Sequence, residues 1–284
     1  MIKIPKRKAN THKGDYGHVF VLAGSAGFTG AAALCSQAAL LSGSGLVTLG
    51  IAKSLNPVMA RKLTEVMTKP LAETKGRALS EKAFPEIMKL AKKADCVAIG
   101  PGLSRDPGTQ RLIRRLIASL RKPIVLDADG INALEKKAKI LKSAKAPVVI
   151  TPHPGEMSRL IALSRNGISG AKEKVAKDFA NKYNVVCVLK GHRTVVARPG
   201  GRSYVNTTGN PGMAKGGTGD VLTGMIAAFI GQGIRPFDAA KLGVYLHGLA
   251  GDLAAKEKGE VSMLASDLLN KIPDAIKKFQ SGKG

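Results

Sequence analysis

Short apolar runs recur along the chain: HVFVLA at His18–Ala23, LVTLGI at Leu46–Ile51, CVAI at Cys96–Ile99, IVL at Ile124–Leu126, VVI at Val148–Ile150 and VVCVL at Val185–Leu189. They are continuous rather than alternating, the pattern of strands covered on both faces of a parallel sheet. Between them the spacing turns helical over Thr29–Ser42, Ser80–Lys92, Pro107–Leu120 and Ser169–Tyr183. This rhythm predicts βαβ units, hence an α/β fold with a mostly parallel sheet and helices on both faces. After Lys190 the pattern shifts. Thr194–Ala197 and Ser203–Asn206 read as a hairpin around Pro199-Gly200-Gly201, followed by helices over Gly217–Ile230, Pro236–Lys258 and Ala265–Lys278. No linker, low-complexity tract or repeat interrupts the pattern, so a single domain over residues 1–284 is expected.

Composition changes this picture little. Apolar residues make up 44% and charged residues 23% of 284, enough for a sizeable core. No apolar run approaches the roughly 20 residues of a membrane span. The basic N-terminus, MIKIPKRKANTHKGDYGH, lacks the apolar stretch of a secretory signal, and a cytoplasmic location is expected. Cys35, Cys96 and Cys187 each sit in an apolar or small-residue run without metal-ligand spacing, and read as buried thiols in a reducing compartment.

Charge is less ordinary. Forty-five Lys and Arg stand against 20 Asp and Glu, a net +25. Nucleic-acid binding, attraction of a polyanionic small ligand and a solvated cationic surface all fit that number. The lysines lie mostly on polar faces of helical stretches such as Glu135–Lys145 and Lys172–Lys182, and aromatics are scarce, with no Trp. Single-strand binders need stacking platforms, so the solvated face is preferred over nucleic acid.

Chemistry gathers in the turns after the strands, the edge where open α/β sheets bind ligands. Gly24–Ala31 (GSAGFTGA) does not fit G-x-G-x-x-G, yet its bare backbone suits an anion as well as a tight turn. Gly100–Ser104 (GPGLS) follows CVAI. In Asp127–Asn132 (DADGIN), Asp127 and Asp129 either orient a metal, a water or a sugar hydroxyl, or cap the next helix. In Thr151–Glu156 (TPHPGE) two prolines stiffen the turn and aim His153 outward, while Glu156 starts a helix and answers its dipole. Lys190–Thr194 (KGHRT) offers cations, a hydroxyl and a backbone bend to an anion.

The most informative segment is Gly209–Leu222 (GNPGMAKGGTGDVL), which is not a Walker A loop. Gly216, Gly217 and Gly219 leave the backbone bare directly before an apolar helix, where open N–H groups and the helix dipole together hold an anion. Asp220 beside bound phosphates would be repelled unless it has a task, such as taking a proton from an attacking hydroxyl. As a plain helix-start residue it would need none.

These residues together resemble the ribokinase-like superfamily, whose G-x-G-D signature GTGD matches. The chain is more closely similar to the NAD(P)H-hydrate dehydratase family, on five segments in order: Gly24–Ala31, Asp127–Leu134, Thr151–Glu156, Leu189–Thr194 and Asn210–Asp220. The resemblance runs from about His12 to Lys278. It implies a ribokinase-like fold and a repair enzyme that spends ADP or ATP to remove water from hydrated NADH or NADPH. Asp220 would be the catalytic base. Gly217 and Gly219 would hold phosphates, and Lys190, Gly191, His192, Arg193 and Thr194 would bind nucleotide. Ala31, Gly102 and His153, with Asp220, would bind the hydrate. The resemblance further implies magnesium with the nucleotide, its ligands unassigned apart from Glu156 as a candidate, a homo-oligomer such as a tetramer, and ADP as the donor. An epimerase that interconverts hydrate epimers, often fused ahead of this unit, is expected on a separate chain, since the first strand begins so early. The alternatives are an ATP-dependent small-molecule kinase on the same fold and a non-catalytic nucleotide or nucleic-acid binder.

Overall fold

The computed structural model describes Ile4 and residues 6–282, so residues 1–3, 5, 283 and 284 of the expected domain lie outside the described residues. The strands are β1 His18–Leu22, β2 Leu46–Ala52, β3 Met67–Leu71, β4 Cys96–Ile99, β5 Ile124–Leu126, β6 Val148–Ile150, β7 Val186–Leu189, β8 Val195–Ala197 and β9 Ser203–Val205. They form one sheet in the order β3-β2-β1-β4-β5-β6-β7-β8-β9. β1 to β7 are parallel, with Val21, Ala98, Val125 and Val149 in register across its centre. β8 and β9 turn antiparallel, as the expected hairpin.

The helices are α1 Thr29–Leu41, α2 Asn56–Lys62, α3 Phe84–Ala91, α4 Pro107–Ser119, α5 Asp129–Asn132, α6 Pro154–Ile161, α7 Arg165–Gly170, α8 Lys172–Tyr183, α9 Thr218–Gly231, α10 Pro236–Lys258, α11 Ala265–Asn270 and α12 Ile272–Gln280. Alternate residues of each strand feed opposite faces of the sheet. Val19 and Val21 belong to the core that includes α1, α9 and α10, whereas Phe20 and Leu22 belong to the core that includes α3, α4 and α8. Both faces are therefore covered, which is why the strands read as unbroken apolar runs. α9 is buried almost all round, between α1 and α10 on one side and β1, β4 and β5 on the other. A helix with no polar stripe can only sit inside.

Several expected boundaries shift for local reasons. Ser169–Tyr183 breaks at Gly170-Ala171 into α7 and α8, and Ala265–Lys278 breaks at Lys271, where Pro273 restarts the helix as α12. Ser80–Lys92 begins as a 3-10 turn, and Pro85 in its first α-turn sets the start of α3. Glu135–Lys145 is helical only as a 3-10 stretch, Ala138–Ser143. β3 (MTKPL) carries no strand signal because it is a largely exposed edge strand containing Lys69 and Pro70 and pairing only with β2. All three cysteines are buried and free. Among the described residues no helix is long and apolar enough to cross a membrane.

Candidate functional site

The turns after β1, β4, β5, β6 and β7 converge with the start of α9 at the C-terminal edge of the sheet. Their centre is Asp127, which is 1% exposed. Lys190 Nζ lies 2.6 Å from its Oδ1, and Thr151 Oγ1 donates to the same oxygen at 2.8 Å. Thr223 Oγ1, one turn into α9, donates to Oδ2 at 2.8 Å. One carboxylate thereby ties β5, β6, β7 and α9 together. A buried charge held this way has both a counter-ion and hydrogen bonds. Asp127 caps no helix: the residue before α5 is Ala128, and no side chain caps that helix. Asp129 instead accepts from the Ser104 N–H at 2.8 Å and from Asn132 Nδ2 at 3.0 Å.

Lys190 is thus not a free cation offered by the KGHRT loop. Its side chain is 18% exposed. Burial works against the ammonium, but Asp127 and Glu156 outweigh it and hold its pKa above the usual lysine value. A Cβ on Gly219 would sit 3.2 Å from Nζ, so the ammonium reaches the first turn of α9. The rest of the loop is on the surface: His192 and Arg193 are exposed, and Thr194 Oγ1 donates back to the Gly191 carbonyl at 2.9 Å. Lys172 Nζ underlies this bend, donating to the His192 carbonyl at 2.8 Å, and burial lowers its pKa to about 8. Nothing in the sequence around Lys172 distinguishes it from the other lysines of α8.

The glycine-rich segment does what bare backbone permits. Gly217 takes φ +95°, a left-handed conformation that L side chains rarely adopt, and a Cβ there would press on Leu34 Cδ1 at 2.6 Å. No side chain caps α9, and the N–H groups of Gly217, Gly219 and Asp220 take no partner among the described residues. Thr218 Oγ1 turns back onto the carbonyls of Met213 and Lys215. Behind the turn His247 Nε2 donates to the Thr218 carbonyl at 2.8 Å, and burial lowers its pKa to about 4, so the ring is neutral. His247 has no recognisable motif, and only the packing of α10 against α9 brings it here.

Asp220 stands in this first turn. Burial first, and then the nearby charge of Asp127, push its carboxyl up to about 7 against the opposing pull of Lys190. Desolvation and like charge both disfavour the anion, which is how a carboxylate becomes an effective base near neutral pH.

Glu156 does more than answer a dipole. It is 5% exposed and its Oε2 accepts from the His153 N–H at 2.8 Å, while His153 Nδ1 accepts from the N–H groups of Gly155 and Glu156 at 3.0 and 3.2 Å. The two residues form a reciprocal cap on α6. His153 therefore carries its proton on Nε2, and burial followed by the Lys190 charge lowers its pKa. Its side chain remains half-exposed, consistent with the outward aim expected of the TPHPGE turn. Burial and Asp127 raise Glu156 against the pull of Lys190.

Ala31 and Gly102 meet at the side of the site. Gly102 takes φ +63°, and a Cβ there would lie 2.7 Å from Phe28 Cβ and 3.1 Å from Ala31 Cβ. Phe28, 58% exposed, stands beside both, and no motif in the sequence marks it. Ser25 Oγ locks the turn by donating to the Gly102 carbonyl at 2.8 Å. A chain of contacts through Ser104, Asp129, Asn132 and Arg159 then leads to α6.

The site's acids suggest how a cation would fit. Asp127, Glu156 and Asp220 surround one ammonium, and two of the three are raised in pKa. Yet among the described residues no group of three or more His, Cys, Asp or Glu could by itself hold a metal ion.

A mostly parallel sheet, covered on both faces, with an aspartate at an uncapped glycine-rich helix start, defines a ribokinase-like α/β protein. The chain is similar throughout to a ribokinase-like superfamily protein of Enterococcus faecalis (29% identity, TM-score 0.83, covering 97% of this chain and 92% of that one). More narrowly, it belongs to the NAD(P)H-hydrate dehydratase family, whose model matches residues 19–274. It is 45% identical to the bifunctional NAD(P)H-hydrate repair enzyme of Moorella thermoacetica over 98% of this chain and 52% of that protein. The chain thus spans about half the length of such bifunctional relatives. The ADP/ATP-dependent NAD(P)H-hydrate dehydratase from Bacillus subtilis, co-crystallised with ATP/Mg2+, superposes with a TM-score of 0.83 at 32% identity, covering 97% of this chain and 94% of that one.

Proposed function

We propose that this chain is a single ribokinase-like unit that dehydrates hydrated NADH or NADPH at the expense of ADP, restoring the cofactor. The observation that carries the mechanism is Asp220. It is a carboxylate raised to about 7, at a helix start whose N–H groups are open. Phosphate oxygens would accept from Gly217 and Gly219. Lys190, pinned by Asp127, would place its charge beside them, and the Gly191–Thr194 bend would take the rest of the nucleotide. Magnesium, entering with the phosphates near Asp127 and Glu156, would offset their charge. The hydrate would lie over Ala31 and Gly102, with Phe28 against its ring and His153 at the other side.

Asp220 takes the proton of the hydrate hydroxyl, whose oxygen attacks the terminal phosphoryl group, and the nucleotide leaves as AMP. Hydroxide leaves poorly and phosphate leaves well. The ring nitrogen's lone pair then expels phosphate as the C–O bond breaks, and loss of a proton from the neighbouring carbon restores the double bond. The names of the relatives support this substrate class. The bifunctional relatives support pairing with an epimerase activity. A cytoplasmic homo-oligomer, such as a tetramer, completes the proposal.

The test is a repair assay with hydrated NADH or NADPH, run in parallel with ADP and ATP. Recovery of absorbance at the NADH band, faster with ADP, is expected. No recovery with either nucleotide sinks the dehydratase reading, and a stable phosphate ester formed from another alcohol with ATP would establish the small-molecule kinase instead.

A further inference from the structure

The opposite, N-terminal edge of the sheet holds a cavity of about 910 Å³, outside everything assigned above. It lies between the segment before β6, the end of α8, the end of β8 and the start of α10. Its size is that of small-molecule sites. Five cations line it: Lys142, Lys145, Lys182, Arg198 and Arg235. The one carboxylate in the lining, Asp238, is already taken by Arg235 at 2.9 Å. Among the described residues no carboxylate lies within ion-pair distance of the other four.

Two features separate this cavity from a solvated cationic surface. Arg198 is partly sequestered: its Nε is buried without a hydrogen-bond partner among the described residues, and its guanidinium lies 5.4 Å from the centre of the Phe237 ring. An arginine fixed in this way has lost part of its hydration and gains most from an anion. The 23-residue helix α10 also begins at this cavity, with no side-chain cap and with Asp238, paired to Arg235, in its first turn. Concave cationic walls concentrate the field where a flat face would spread it. The aromatic residues of the lining, Tyr183 and Phe237, are 6% and 8% exposed, so no ring is presented for stacking on a base.

We propose that this cavity is a second anion site that binds a polyphosphate chain, either inorganic or borne by a metabolite, through Lys142, Lys145, Lys182 and Arg198. It gives part of the +25 charge a task that the phosphoryl-transfer site does not.

The test is calorimetric titration of the full chain with inorganic tripolyphosphate, with and without saturating ADP, and a parallel titration with ATP on top of ADP. One binding event that survives ADP is expected. It should weaken about tenfold in Lys182→Met and in Arg198→Met, the loss of one charge-assisted contact, and stay unchanged in Lys256→Met, an exposed lysine elsewhere. Lys182 is itself exposed, so its variant keeps the test open if Arg198→Met fails to fold. An ATP signal on top of ADP that shares this sensitivity means that a metabolite's phosphate arm is accepted; tripolyphosphate alone means the free chain. Loss of the event when ADP is present, or equal affinity in all variants, overturns the proposal. So does tight binding of a DNA duplex, weakened by the same substitutions, without any tripolyphosphate binding.

Discussion

At the C-terminal edge of the parallel strands, Lys190 stands among Asp127, Glu156 and Asp220, largely buried and bonded to Asp127. At the other edge, five cations line an open cavity, and among the described residues its one lining carboxylate, Asp238, pairs with Arg235 and leaves the other four unpaired. Burial makes the difference. Inside the first edge a charge without a partner would cost several kcal/mol, so each is paired or pushed towards neutrality. At the second, water screens the lysines and lets them stand unpaired. One edge is therefore rigid and tuned before ligand arrives, while the other holds charge that only a ligand would use.

Substitutions at the two edges should accordingly differ in kind. Asp220→Asn carries the largest expected effect: turnover in the repair assay falls by about 10²–10⁴-fold, the usual worth of a general base, while nucleotide binding measured by calorimetry persists. Surviving activity would remove Asp220 from the mechanism. Next is Lys190→Met, which strands Asp127 as a buried uncompensated charge. Denaturant unfolding should show a loss of about 3–5 kcal/mol. Lys182→Met, at the open edge, should change unfolding by no more than about 0.5 kcal/mol, and similar losses at both edges would erase the contrast.

A pH dependence is expected as well. Asp220 holds its proton more tightly folded than unfolded, because its folded value is about 7 and its ordinary value is 3.8. Between those values the folded chain binds more protons, so its contribution to stability falls as pH rises and is most unfavourable above about 7. Asp220→Asn removes that penalty. Its melting temperature should exceed that of the unsubstituted chain at alkaline pH, and the difference should shrink as pH falls towards the ordinary carboxylate range. A difference that does not vary with pH would mean that Asp220 is not raised. Such a gain in stability with loss of turnover is what a strained catalytic group predicts.

Much of this arrangement was legible beforehand, and the exceptions have physical reasons. Strands buried on both faces write their burial as unbroken apolar runs, so every parallel strand but β3 could be read. β3, exposed at the edge and containing a proline, has no such record. The bare helix start at Gly217–Asp220 is a local property of glycine and could be read as well. Partnership could not. Asp127 and Lys190 are 63 residues apart, and Asp127 and Thr223 are 96 apart. A choice between metal ligand, hydroxyl ligand and helix cap stayed open for Asp127 until the fold supplied its neighbours.

The sequence by itself determined the α/β rhythm, the edge where the glycine-rich turns lie, and the position of Asp220 at the start of a glycine-rich, uncapped helix. These depend on side-chain periodicity and backbone freedom within a few residues. Only the tertiary structure decided that Lys190 is pinned rather than free, that Asp220 is raised to about 7, and that His247 and Phe28 stand at the site. Desolvation and Coulomb interactions act through space, between groups that the chain order does not bring together.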